Sequence, residues 1–172
     1  MKRRRRILRI LEGSDEPLTG AELSRELGVS RQVIVQDVAV LRAAGNDILA
    51  TPQGYMMVRE PTQRPHRARV AVKHPPQSTQ DELNTFVDHG LRVIDVIVEH
   101  PLYGDLVGSL MLKSREDVSQ FMNQLQKTGA PLLSSLTEGV HLHTVEFDRV
   151  DDLKRAEAAL GGKGFLAVDG SE

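Results

Sequence analysis

The chain contains no cysteine, no tryptophan and few aromatic residues of any kind: two Tyr and four Phe in 172 residues. Without Cys there is no disulfide, no thiolate nucleophile and no sulfur-ligated metal, and the absence fits a reducing compartment. An aromatic content of 3% leaves no platform on which single-stranded nucleic acid could stack. No apolar run is long enough to span a membrane. The opening Met-Lys-Arg-Arg-Arg-Arg is basic, but the apolar stretch of a secretory signal does not follow it. Together these features predict a soluble cytoplasmic protein. The length suits one ordinary domain or two small ones, and the apolar content of 40% is enough to bury a core.

The net charge of -2 is unevenly spread. Residues 1–60 carry ten Lys/Arg against eight Asp/Glu, and the remainder carries twelve against sixteen. The useful part of this asymmetry is the run of five basic residues at positions 2–6, among them Arg3, Arg4, Arg5 and Arg6. Such a run suits the phosphate backbone of double-stranded DNA.

The first sixty residues read as three helices and a hairpin. Ile7, Leu8, Ile10 and Leu11 give a first helix its apolar stripe, and Gly13 ends it. Thr19 and Glu22 form a capping box for a second helix, which buries Leu23 and Leu27 and stops at Gly28. Ser30 then caps a third helix. On it Ile34, Val38 and Leu41 face a core, while Arg31, Gln32, Val35 and Gln36 fall on the opposite side. Arg can grip guanine and Gln adenine, each through two hydrogen bonds, so such a helix suits the DNA major groove. Taken by itself the stretch reads equally as an ordinary amphipathic helix with a solvated polar face. Its context decides: a short helix, a Gly turn and a longer capped helix make a helix-turn-helix. Short strands at 48–51 and 55–58 around Pro52-Gln53-Gly54 add a wing.

Residues 61–69, with Pro61 and Pro65 and no apolar periodicity, read as a linker. Beyond it the expected elements alternate. They are a strand from Val70, a helix capped by Ser78, strands at 91–99 and 106–112, a helix capped by Ser114, a strand at 140–147, a last helix from about Val150 to Leu160, and a short strand at 165–168. The fold class is α+β: a winged helix-turn-helix over residues 1–60 and a compact sandwich over 70–172. His141 and His143 leave the same face of one strand, so they could share a metal ion or could simply be two exposed strand histidines. With His74 and Glu82 they would supply three nitrogens and a carboxylate, a set suited to Zn, Fe, Ni or Mn. His66 and His89 read as surface residues.

Pro-Leu-Thr-Gly-Ala-Glu-Leu at 17–23, Val-Ser-Arg-Gln-Val-Ile-Val-Gln-Asp at 29–37 and Ile-Leu-Ala-Thr-Pro-Gln-Gly-Tyr at 48–55 resemble the DNA-binding half of the niacin-responsive transcription repressors. In that family a regulatory 3H domain follows the winged helix. The resemblance continues through Val-Ile-Asp-Val-Ile-Val-Glu-His-Pro at 93–101 and Leu-Thr-Glu-Gly-Val-His-Leu-His-Thr at 136–144. It implies a phosphocarrier-like antiparallel sheet with helices on one face. It also implies a divalent transition metal ion held by His74, Glu82, His141 and His143. His100 and Tyr103 are the candidates for an effector pocket, the plainer alternative being that the His100 imidazole bonds backbone groups in its turn. One departure is visible: Glu138 stands where the family often has Gly.

The function that the resemblance implies is a homodimeric repressor of NAD synthesis or niacin uptake genes. It would bind a palindromic operator with nicotinic acid as co-repressor, using Ser30, Arg31, Gln32, Gln36 and the basic run on DNA. A metalloregulator, in which the ion itself is the signal, is the alternative. A metal-dependent hydrolase ranks below both, because no nucleophile–base pair is evident and Glu82 is better used as a ligand. An enzyme is therefore not expected. A phosphocarrier role ranks low, since a histidine committed to metal is a poor phosphoryl acceptor.

Overall fold

In the computed structural model, which describes residues 2–59 and 65–167, the chain divides into two units, Met1–Thr62 and Gln63–Glu172. The first unit comprises α1 (Lys2–Glu12), α2 (Gly20–Leu27), α3 (Arg31–Ala43), β1 (Ile48–Thr51) and β2 (Gly54–Met57). Its helices start where side-chain oxygens replace missing backbone partners. Thr19 Oγ1 accepts from the Glu22 amide at 3.1 Å, and Glu22 Oε2 accepts from the Thr19 amide at 2.7 Å, so both halves of the capping box are closed. Ser30 Oγ accepts from the Val33 amide at 3.3 Å and opens α3. Ile7, Leu11, Leu23, Ile34, Val38, Leu41 and Ile48 are buried in one cluster. β1 and β2 pair as a hairpin from Ile48↔Met57 to Thr51↔Gly54, and Leu18 adds a bridge to Tyr55. Gly54 has φ 130°, and a Cβ there would lie 2.5 Å from the Leu18 carbonyl, so only glycine admits this approach.

The second unit comprises β3 (His66–Lys73), α4 (Thr79–Asp88), β4 (Arg92–His100), β5 (Gly104–Leu112), α5 (Arg115–Thr128), β6 (Val140–Phe147) and α6 (Val150–Gly162). The strands form one antiparallel sheet in the order β3-β6-β4-β5. Period-two alternation sorts its two faces. Val70, Val72, Val93, Val145 and Phe147 point to the side where α4, α5 and α6 bring Leu83, Phe86, Val118, Ala156 and Leu160 into the same core. Helices on one face of an antiparallel sheet is the expected architecture. The register of β4 shifts between Val93 and Ile97 against β6. Asp95 sits in that irregularity, its Oδ1 accepting from the Thr144 amide at 2.9 Å.

Two expectations need correction. The strand expected from Val70 begins at His66, so residues 66–69 of the supposed linker pair with β6 from Phe147 to Thr144. An edge strand with one open face tolerates Arg67 and Arg69, and their charge hid it. Ser78 does not cap α4: it ends a 3-10 turn that starts at Pro76, and its hydroxyl makes no capping bond. Residues 60–64 of the expected linker and Val168 of the last expected strand lie outside the described residues. Leu166 does form a bridge with Val72.

Candidate metal centre and nucleic-acid interface

The β6 alternation that buries Val145 and Phe147 also turns His141 and His143 inward, at 4% and 3% exposure. Register places Val72 opposite His141 and Val70 opposite His143. His74 follows the end of β3 and is buried, and Glu82 in the first turn of α4 is 1% exposed. The four residues meet around the Glu82 carboxylate. Its Oε2 contacts His74 Nε2, and its Oε1 lies 3.4 Å from His141 Nε2 and 2.6 Å from His143 Nε2. Ligand atoms of His74, Glu82 and His141 all lie within 4.8 Å of one another. His143 joins this group through Glu82.

The outer nitrogens are equally ordered. His74 Nδ1 lies 2.8 Å from the Pro75 carbonyl, His141 Nδ1 2.9 Å from that of Gly139, and His143 Nδ1 2.8 Å from that of Asp95. A carbonyl can only accept, so each Nδ1 carries a hydrogen and each Nε2 is turned toward the Glu82 carboxylate. Backbone anchoring of the far nitrogen is how metal-binding imidazoles are oriented. His143 Nε2 is buried and makes no well-directed hydrogen bond. A buried carboxylate ringed by three Nε2 atoms needs positive charge among them, from protons on the imidazoles or from a metal ion that displaces those protons. Donor chemistry and orphaned nitrogen both fit a divalent transition ion.

Electrostatics agree. Burial pushes the Glu82 carboxyl up, but the charge of His143 and the close approach of the His141 and His74 imidazoles hold it well below the usual carboxylate range. Burial pushes the imidazoles of His74 and His143 down, and the Glu82 carboxylate more than offsets this, leaving both above the ordinary value. Gly139 (φ 92°) lets β6 enter beside His74: a Cβ there would meet the His74 carbonyl oxygen at 2.5 Å. A cavity of about 230 Å³ opens at the same place, lined by His74, Pro75, Ser134, Ser135, Glu138 and Gly139. Ser134 and Ser135 lie in a 3-10 turn, Leu133–Thr137, between the expected helix after Ser114 and the expected strand at 140–147. Their only signal was nearness to Gly139.

His100 and Tyr103 have other contacts. The His100 Nδ1 accepts from the amides of Leu102 at 3.1 Å and Tyr103 at 3.2 Å, and the two rings lie 5.1 Å apart. These bonds close the β4–β5 turn, where Tyr103 is 71% exposed. Neither ring is among the contacts of the Glu82 cluster.

In the first unit, α3 exposes Arg31, Gln32, Val35 and Gln36 in succession around buried Ile34. The aliphatic stem of Arg31 runs past Gly20 at the start of α2, close to where a Cβ would project. Arg5 and Arg6 are exposed on α1. Arg3 and Arg4 are not free in the same sense. Arg3 Nε lies 2.5 Å from Asp37 Oδ2, and Arg4 Nε 3.2 Å from Asp37 Oδ1. Asp37 is a buried carboxylate on α3 that sequence reasoning missed, although it falls on the helix face of Ile34, Val38 and Leu41. The hydrogen bond from Arg3 holds its carboxyl below the ordinary range against the opposing effect of burial.

Known proteins match both units. A helix-turn-helix domain model covers residues 3–56, and a 3H domain model covers residues 67–169. The chain is 44% identical to the probable transcription repressor NiaR of Thermotoga maritima, over 98% of its own length and 95% of the relative's. It is 42% identical to the transcription repressor NadR of Bacillus subtilis, over 97% and 94% respectively.

Proposed function

Because this chain belongs to the helix-turn-helix/3H family of transcription repressors, we propose that it is a cytoplasmic homodimer that represses NAD synthesis or niacin uptake genes with nicotinic acid as co-repressor. Such repressors are not enzymes, and the DNA-binding unit is the helix-turn-helix of residues 3–56. Arg31, Gln32 and Gln36 on α3 read bases, Ser30 orders the helix start beside the phosphates, and Arg5 and Arg6 contact the backbone. Arg3 and Arg4 divide their charge between DNA and Asp37. A single recognition helix makes few base contacts, so two copies on a palindrome are needed, with half-sites about one helical turn apart.

The observation that carries the regulatory part is the convergence of three backbone-anchored imidazoles on Glu82. His74, Glu82, His141 and His143 would hold a Ni, Zn, Fe or Mn ion, and the ion would supply a Lewis-acidic site for a carboxylate or ring nitrogen. The cavity lined by Ser134 and Ser135 lies beside His74 and is large enough for a single-ring acid. An effector bound there stabilises the DNA-binding arrangement only as far as it binds that arrangement more tightly than the other.

Calorimetry with metal-loaded and chelator-stripped chain tests this reading, followed by operator binding with and without nicotinic acid. Nicotinic acid is expected to bind only the loaded form and to tighten operator binding. Glu82→Gln should weaken metal binding beyond the roughly 10–100-fold lost with an outer partner of a ligand. Operator affinity that follows metal and ignores nicotinic acid would instead make the ion the signal.

A further inference from the structure

The face of the sheet turned away from the helices carries a charge pattern that fits a second copy of itself. Register runs straight across it in the order β3-β6-β4-β5: Ala71 opposes Leu142, Leu142 opposes Ile97, and Ile97 opposes Val107. This is a continuous apolar row. Its ends are open, Ala71 being exposed and Val107 58% exposed. Two residues along each strand lies a second row. At the β3 edge Lys73 opposes Val140, itself 43% exposed, and at the β5 edge Glu99 opposes Asp105.

The second row therefore runs from a cation through an apolar centre to two anions. Among the described residues Lys73, Glu99 and Asp105 make no ion pair within the chain, in contrast to Arg67, which is taken by Glu146. Two carboxylates opposed on neighbouring strands are unfavourable unless a cation reaches them. A depression of about 470 Å³ lies among Ala71, Ile97, Leu142, Val140, Glu99 and Asp105.

We propose that two copies of this chain meet through this face, sheet upon sheet, about a two-fold axis parallel to the strands; this rests on the homodimer reading above. Such an axis keeps the level along the strand and exchanges the two edges. Lys73 of each copy then faces the Glu99–Asp105 pair of the other, Ala71 faces Val107, and Leu142 faces Ile97. An axis across the strands would set Lys73 against Lys73 and carboxylate against carboxylate, so charge selects between the two. Aligned packing of two sheets is an ordinary arrangement. Four strands of about eight residues cover roughly 500 Å² in plan. Two copies would thus bury about 1,000 Å², near the lower bound for a specific interface.

Sedimentation equilibrium on the full chain, with circular dichroism as a check on folding, tests the proposal. The wild type is expected to be a dimer, and Val107→Arg, on an exposed side chain, a folded monomer. Lys73→Glu and Asp105→Lys should each weaken the dimer by at least tenfold, and the double variant Lys73→Glu/Asp105→Lys should regain it. A dimer that survives all three single changes overturns this choice of face and leaves the homodimer reading standing. A wild-type monomer overturns both. Failure of the double variant to regain association while both single variants lose it removes the axis parallel to the strands.

Discussion

Glu82 is a buried carboxylate surrounded by imidazoles, and its surroundings set how protons compete with a metal. The Glu82 charge raises the values of His74 and His143. A ligand must give up its proton, so metal affinity is expected to fall as pH drops through the region just above the ordinary imidazole value of about 6.5. Calorimetry at pH 8 and pH 6 should show a loss of about tenfold per pH unit for each proton displaced. A flat profile would exclude these two nitrogens as ligands. A second residue offers a stability test. Glu138 has φ 53° and ψ 35°, a left-handed conformation, which L side chains adopt at a cost of roughly 1–2 kcal/mol. Its place in a family motif that often has Gly thereby has a backbone reason. Glu138→Gly is expected to raise stability by about 1 kcal/mol or slightly less, because glycine also gives up more freedom on folding. Urea denaturation measures it, and a destabilised variant would mean that the Glu138 side chain itself does work at the rim of the cavity.

Among the elements, those written in local chemistry were legible in the sequence. The Thr19–Glu22 box and the caps at Ser30 and Ser114 act within one helical turn, and each is closed in the structure. β6 was legible because its buried face alternates with its open one. What depends on residues distant in the chain was not. Asp37 reads as a polar residue until α1 brings Arg3 to it, 34 positions away. The start of β3 reads as linker because its pairing partner arrives with β6, and its charged side chains need only one covered face. The fourfold cluster was legible only through family spacing, since nothing local joins position 82 to position 141. The α1–α3 contact gives its own test. Asp37→Asn is expected to cost about 1–3 kcal/mol at pH 7, because it discharges a buried partner of Arg3 and Arg4. The folded carboxyl lies below its ordinary range. Its stabilisation is therefore present above the unfolded value near 4 and lost as pH falls through the folded one. The difference between wild type and variant in denaturant titrations should persist at pH 5 and close only below about pH 4.

At the scale of the molecule, the four candidate ligands join two distant parts of the second unit. His74 and Glu82 enter with β3 and α4, and His141 lies 59 residues beyond Glu82. An ion held by all four would bind the folded unit and not the open chain. Saturation at a hundred times the dissociation constant should add about 2.7 kcal/mol to its stability. Thermal melts with excess metal and with chelator measure this, and coincident melts would mean that the folded chain does not bind the ion. One further consequence follows from β6, whose side chains go alternately to the two faces of the sheet. Substitutions along it can change one face and spare the other. A single inserted or deleted residue between Val140 and Phe147 cannot, because it would turn His141 and His143 outward and Leu142 and Thr144 inward together. In descent, this segment is free to vary in composition on its outer face and is not free to vary in length.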